Sequence, residues 1–304
     1  MLVISKLTRS LEKNGIIGTA RVIFDRLFPI RARSSAASVS ELISHRRGIE
    51  IGGPSIAVFG RRGVLPAYPT IGSLDNVNFG SKTVWEGSIQ EGRTFLFDRS
   101  RPPGCQYIRE ATELSNIPSA TYDFLLSSHT LEHTANPIAA LHGWLRILKN
   151  DGVVVLVLPH KEGTFDHRRP TTTLDHMKDD FDRNMDEHDL SHLPEILKLH
   201  DLSLDPPAGD FENFKARSLR NFENRCLHHH TFTTLSAATL LNYMGVKIVS
   251  VEACKPNHVI IVARKAQNVN NAPFLLSSSP CYRQSPFQLD RNGEPKSKTA
   301  TAAA

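Results

Sequence analysis

The chain predicts an α/β fold with a largely parallel sheet, and two observations carry that reading. Short apolar runs alternate with amphipathic stretches of helical period, the pattern of βαβ units. Within the runs almost every residue is apolar, as strands covered on both faces require. The clearest strands are Gly48–Ile51, Tyr122–Ser127, Val153–Pro159, Val246–Val251 and Val259–Ala263. Asn136–Lys149 predicts a helix: Asn136 can cap it, Pro137 suits its first turn, and Ile138, Leu141, Leu145 and Leu148 share a face. Asn150-Asp151-Gly152 then turns the chain into the next strand. Thr233–Met244 predicts a second helix, stopped at Gly245. Residues 160–230 break the alternation and hold nine of the fourteen histidines. An insertion after a strand's carboxyl end is where open α/β folds place substrate determinants.

Composition bounds the rest. A length of 304 residues, with 40% apolar and 22% charged residues, suits one large globular domain with extensions. The longest apolar run, Val153–Leu158, is strand-sized, and no secretory pattern opens the chain. The cysteines, at 105, 226, 254 and 281, form no CxxC pair, which suits a reducing, cytoplasmic compartment rather than a disulfide framework. Of the net +5, residues 1–47 contribute +6 and residues 264–304 contribute +4, so the centre carries −5. Basicity confined to the ends argues against a nucleic-acid surface on the domain. Three segments follow: a basic amphipathic helical extension and linker (1–45), the main domain (46–265), and a tail (266–304) whose Asn, Ser, Pro and Lys content predicts disorder. The extension is expected to dock on the acidic domain; peripheral contact with anionic lipid is the alternative.

The motifs begin with Glu50-Ile51-Gly52-Gly53-Pro54-Ser55, where adjacent glycines after a first strand let the backbone turn and a ligand approach. The GxGxxG pattern is absent. An acidic residue, Asp75, follows in SLDNVNF, with Asp98 in FLFD as its rival. Then come Glu110-Ala111, the run from Tyr122 through Ser127-Ser128-His129 to Leu131-Glu132-His133, and LRILKNDG before VVVLVLP.

This succession resembles a class I S-adenosylmethionine-dependent methyltransferase of the branch with an LEH helix after its fourth strand, and the PHK…TFDHRRP run resembles an uncharacterised subgroup of it. The resemblance implies a Rossmann-like, seven-stranded, mostly parallel sheet with helices on both faces and an inserted helical and loop segment after the fifth strand. It implies S-adenosyl-L-methionine as cofactor. Glu50, Gly52 and Gly53 would pass its methionine portion, Asp75 would hold the ribose hydroxyls, Glu110 and Ala111 would flank the adenine, and Ser127, Ser128 and His129 would lie under the sulfonium. The acceptor is expected to be a small molecule, saccharides included, methylated on oxygen or nitrogen. A nicotinamide-dependent oxidoreductase and a non-catalytic cofactor-binding module are the alternatives; the first lacks its glycine motif, and the second has no need of the intact acidic and glycine positions.

A general base suits such an acceptor, and imidazole titrates near neutrality. His160, following a strand's carboxyl end, and His167 beside Asp166 are the first candidates, with His129 third. His188, His192 and His200 with Asp189 and Glu195 have partial metal-ligand spacing but lack the HExxH form, so no metal is expected. Arg168, Arg169 and Arg225 are expected to pair with acidic neighbours, and Trp144 to lie in the core.

Overall fold

A computed structural model of the chain describes residues 34–293. The basic stretch Leu2–Arg33 and the last eleven residues lie outside the described residues, so the docking of the former is not addressed by it. Five strands run parallel: β1 (Arg47–Ile51), β2 (Ser73–Asn78), β6 (Gly104–Ile108), β7 (Tyr122–Ser128) and β8 (Leu148–Pro159). Between β2 and β6 lie a two-stranded hairpin, β3 (Lys82–Thr83) with β4 (Gly87–Ser88), and β5 (Gly92–Phe95). β9 (Lys247–Cys254) and β10 (His258–Arg264) complete the main sheet, whose order is β5-β6-β2-β1-β7-β8-β10-β9. β10 runs antiparallel to both β8 and β9. The sheet thus has eight strands rather than the expected seven, the extra one being β5, an antiparallel edge strand on β6.

Period-two alternation along the central strands divides the core. Val154, Leu156 and Leu158 face helices α3 (Pro137–Ile147) and α8 (Thr234–Tyr243), through Leu141, Trp144, Leu240 and Leu241. Val153, Val155 and Val157 face α1 (Ser34–Ile43) and the short α2 (Ile56–Phe59), through Val39, Ile43 and Phe59. Asn136 caps α3 as expected, its side chain accepting from the Ala139 N–H at 2.9 Å. The helix ends at Ile147, two residues early, because Leu148 already pairs with Tyr122 as β8 begins.

Two boundary expectations are corrected. The linker expected at the end of the 1–45 segment is helix α1, and Ser35 fastens it to β9 by donating from N–H and Oγ to Glu252 at 3.0 and 2.8 Å. Residues 266–293, expected to be disordered, are ordered against the domain. They form short helices α9 (Ala272–Leu275), α10 (Pro280–Arg283) and α11 (Gln288–Asn292), and Tyr282, Phe287 and Asp290 are buried. Composition misleads here because a few polar anchors replace an apolar stripe. Asp290 accepts from Thr234 and Ser285, Asn271 bonds β9 and Val246, and Glu162 accepts from the Gln288 and Leu289 amides.

The insertion after β8 folds as α4 (Leu174–Asp182), α5 (Leu193–Leu199), α6 (Phe211–Leu219) and α7 (Asn221–Asn224). It carries a small core of its own, Ile196, Ala208, Phe214 and Leu227.

Candidate active site

The carboxyl ends of β1, β2, β7 and β8 open onto a cleft of about 600 Å³, roofed by the insertion. Its size and place are those of a small-molecule site in an open α/β sheet. Gly52 lines it with φ of +87°, and a Cβ there would stand 2.2 Å from Thr130 Oγ1. A Cβ on Gly53 would stand 2.1 Å from the Glu50 carboxyl carbon. Only glycines let this turn lie so close to its supports, which leaves its other side open to a ligand. Glu50 is buried beneath the turn rather than on the cleft. Its carboxylate accepts from the Ser55 N–H at 3.0 Å and the Tyr68 O–H at 2.6 Å. Burial pushes the Glu50 carboxyl up to about 7, against those two hydrogen bonds.

Asp75 is not on the cleft, which corrects the expected ribose contact. It sits mid-strand with its carboxylate turned toward the amino ends of the strands, accepting from Arg47 Nη2 (2.9 Å), Tyr122 O–H (2.8 Å) and the Cys105 N–H (2.8 Å). Its rival Asp98 is half-buried and holds a local turn through Ser100. The end of β2 on the cleft is Asn78, and Glu86 of the β3–β4 turn closes the same side. Asn78 Nδ2 donates to the Gly53 carbonyl at 2.9 Å, tying the glycine turn to β2.

Glu110 and Ala111 line the cleft. Glu110 pairs with Arg225, whose guanidinium lies over Phe79 at 5.1 Å and Phe222 at 4.7 Å. The buried Trp144 donates from Nε1 to the Ala111 carbonyl at 2.9 Å, fixing that wall from the core. Ser128 lines the cleft; Ser127 is buried in β7, its Oγ without a hydrogen-bond partner.

Four titratable side chains gather at the other half: His129, Glu132, His133 and His228. His228 Nδ1 lies 2.5 Å from Asp166 Oδ2, which leaves Nε2 to the cleft. Burial pushes the Asp166 carboxyl up, but His228 and Arg169 outweigh it and hold Asp166 at about 2. Burial disfavours a charged His228 ring, and the Asp166 anion more than offsets this, so the pKa of His228 is raised. Both Glu132 oxygens are buried with no hydrogen-bond partner, and burial pushes that carboxyl up to about 7. His133 Nδ1 meets the Leu227 carbonyl at 3.0 Å. His129 bonds His258 at 2.9 Å, and burial followed by repulsion from that ring holds it down at about 3, a neutral imidazole with little basicity.

The other two candidate bases are elsewhere. His160 is enclosed, its ring stacked on Phe287 at 4.0 Å and its Nε2 3.2 Å from Asp290 Oδ1. It anchors the carboxyl-terminal segment, whose packing composition did not disclose. His167 pairs with Asp201 at 3.0 Å on the flank of the insertion, away from the cleft lining. Glu132, His133 and His228 are what the reading of single residues passed over. The LEH run and the His228–His230 triplet carried the signal, but only the fold brings them together.

The expected arginine pairs are present: Arg168 with Asp201 (2.7 Å), and the buried Arg169 with Asp166 (3.1 Å) and Glu195 (2.8 Å). Arg169 also donates to the His228 and His229 carbonyls, at 2.8 and 3.2 Å, so it positions the triplet. The His188, His192 and His200 grouping does not form. His188 stacks on Phe222, and His200 pairs with Asp205 at 3.3 Å.

Residues 84–156 match the sequence model of a family described as a methyltransferase domain. The chain matches no curated protein. Among solved structures it is similar to S-adenosylmethionine-dependent methyltransferases from Aquifex aeolicus (11% identity, 76% of this chain and 88% of that one, TM-score 0.41) and Mesorhizobium loti (13%, 76% and 95%, 0.41). It is likewise similar to one from Methanosarcina mazei (15%, 76% and 98%, 0.41). The glycine turn packed close on its supports, the polar groups at both ends of the cleft and the methyltransferase-domain match fit S-adenosyl-L-methionine as the cofactor. The match over residues 84–156 and the fold of the sheet support a methyltransferase that uses S-adenosyl-L-methionine.

Proposed function

We propose that the chain methylates an oxygen or nitrogen of a small acceptor, with His228 taking the acceptor's proton. The observation that carries this is the Asp166–His228 pair, with Nε2 left to the cleft beside Glu132. An anionic carboxylate on Nδ1 fixes the tautomer and stabilises the imidazolium formed when Nε2 accepts a proton. Glu132 makes no hydrogen bond, its nearest partners being His129 Nδ1 at 3.6 Å and His133 Nε2 at 3.9 Å, so it can accept one from the acceptor. Trp85, exposed on the cleft 5.4 Å from the His133 ring, offers an apolar face of the kind that packs against a sugar ring, which favours a saccharide-type acceptor.

The cofactor brings the methyl group on a sulfonium, which is its own leaving group. What the chain supplies is alignment and a proton acceptor. Gly52 and Ser128 would hold the methionine end, and Glu110 and Ala111 the adenine. Glu86 with Asn78 would hold the ribose diol; the two carboxylate oxygens of Glu86 suit two hydroxyls.

The test is a panel of sugars, alcohols, phenols and amines offered with S-adenosylmethionine, with methylated product read by mass spectrometry. The reading expects transfer to a hydroxyl or amine, slowed by ~10²–10⁴-fold in His228→Gln. Transfer confined to carbon, or an unslowed His228→Gln, contradicts it.

A further inference from the structure

Behind the acceptor site, and off the cleft, His176, Asp180, His192 and His230 converge. Their ligand atoms all lie within 4.8 Å of one another. His176 Nε2 is 3.1 Å from His192 Nε2 and 3.4 Å from Asp180 Oδ2, and His230 Nε2 is 3.8 Å from the same oxygen. A tetrahedral ion with bonds of about 2.0–2.1 Å sets its ligands ~3.3 Å apart, so these separations bracket what such an ion needs.

Hydrogen bonding alone serves this cluster poorly. Two imidazole nitrogens facing each other can share at most one proton. Asp180 Oδ2 is buried without a hydrogen bond. His230 Nε2 has only a long contact, 3.3 Å, to the Ala135 carbonyl. Buried polar atoms are normally satisfied, and a cation at the centre would satisfy the carboxylate and several imidazoles together.

The supports are in place on every side. His176 and Asp180 stand one turn apart on α4, where Thr173 caps the helix by accepting from the His176 N–H at 3.2 Å. Asn136 Nδ2 holds the Asp180 carbonyl at 3.2 Å. The His230 N–H donates to the Glu132 carbonyl at 3.3 Å. His176 and His192 are half-buried, which leaves an ion a way in.

We propose that His176, Asp180, His192 and His230 form a zinc site that fastens α4, the start of α5 and the His228–His230 run to one another. Three imidazoles with one carboxylate at tetrahedral spacing suit Zn²⁺ better than the oxygen-seeking Mg²⁺ or Ca²⁺. A closed set of four protein ligands makes the role structural: the ion holds the strand of chain that presents His228, two residues from its own ligand, and takes no part in methyl transfer.

The experiment is metal analysis and Zn²⁺ titration of the full chain, stripped with chelator and then reloaded, beside His192→Ala and His133→Ala. Wild type is expected to take up stoichiometric Zn²⁺, to show a tetrahedral absorption band when loaded with Co²⁺ instead, and to melt higher when loaded. His192→Ala is expected to weaken Zn²⁺ binding at least ~10-fold, about 1.4 kcal/mol, and His133→Ala to leave it unchanged. Failure of wild type to bind Zn²⁺ at micromolar free metal overturns the proposal. So does equal binding by His192→Ala, or its loss in a folded His133→Ala, which would move the ion to the cleft. The Co²⁺ band is read on wild type, so the proposal can fail even if a variant does not fold.

Discussion

His160, at the end of β8, and His228, in the insertion over the cleft, meet an aspartate each, yet their surroundings assign them opposite work. His160 has no cleft beside it: Phe287 covers its face and Asp290 takes its Nε2. His160→Ala should therefore lower the melting temperature, because buried Asp290 loses a partner at a cost of about 1–3 kcal/mol, while S-adenosylmethionine affinity survives. His228→Gln should show the reverse, with folding and cofactor affinity kept and turnover lost; calorimetry and thermal melts on the two variants separate these patterns. Asp75→Asn belongs with His160. Arg47, Tyr122 and the Cys105 amide hold it off the cleft, so its loss should cost stability and leave cofactor affinity alone. Glu50 gives a pH signature. Its carboxyl is held at about 7 against an ordinary 4.5, so the folded chain binds a proton that the unfolded chain releases. That contribution is intact below about 4.5 and is lost as pH rises to about 7, up to ~3 kcal/mol. Glu50→Gln cannot ionise, so its melting temperature relative to wild type should climb across that interval. A constant difference would show that Glu50 is charged in the fold.

At the scale of elements, legibility followed covering. β1, β7 and β8 are apolar on both faces because helices lie on both, and such runs show plainly in a sequence. β2 is harder to read: SLDNVN buries Asp75, Asn76 and Asn78, each tied by hydrogen bonds to residues some 25 or more positions away, so its polarity hides its place in the sheet and misplaced the ribose contact. The tail failed for a related reason. Its order rests on Asp290, Asn271 and Glu162, whose partners cannot be known before the fold is. The glycine turn was legible because its residues are local, whereas the Asp166–His228 pair joins residues 62 apart. Ending the chain at residue 265 should expose His160 and the start of α8, lower the melting temperature and favour aggregation. An unchanged melt would mean that the segment's contacts add nothing.

Across the whole molecule, the sheet, the insertion and the carboxyl-terminal segment meet at one place. β8 ends at Pro159; the next residue, His160, is pinned by the tail, and the chain then rises into the insertion that returns as His228 over the cleft. Glycine turn and acceptor residues thus face each other across one cavity of about 600 Å³. The most direct test is calorimetric titration of S-adenosylmethionine into wild type and Gly52→Val, with melting temperatures recorded beside it. At position 52 a side chain meets Thr130 at positive φ, and the turn must shift into the space the ligand needs. Stoichiometric binding by wild type, at least ~10-fold weaker in a folded Gly52→Val, is the expected result. No heat with wild type, or equal affinity in the variant, would contradict the placement of the cofactor in this cleft.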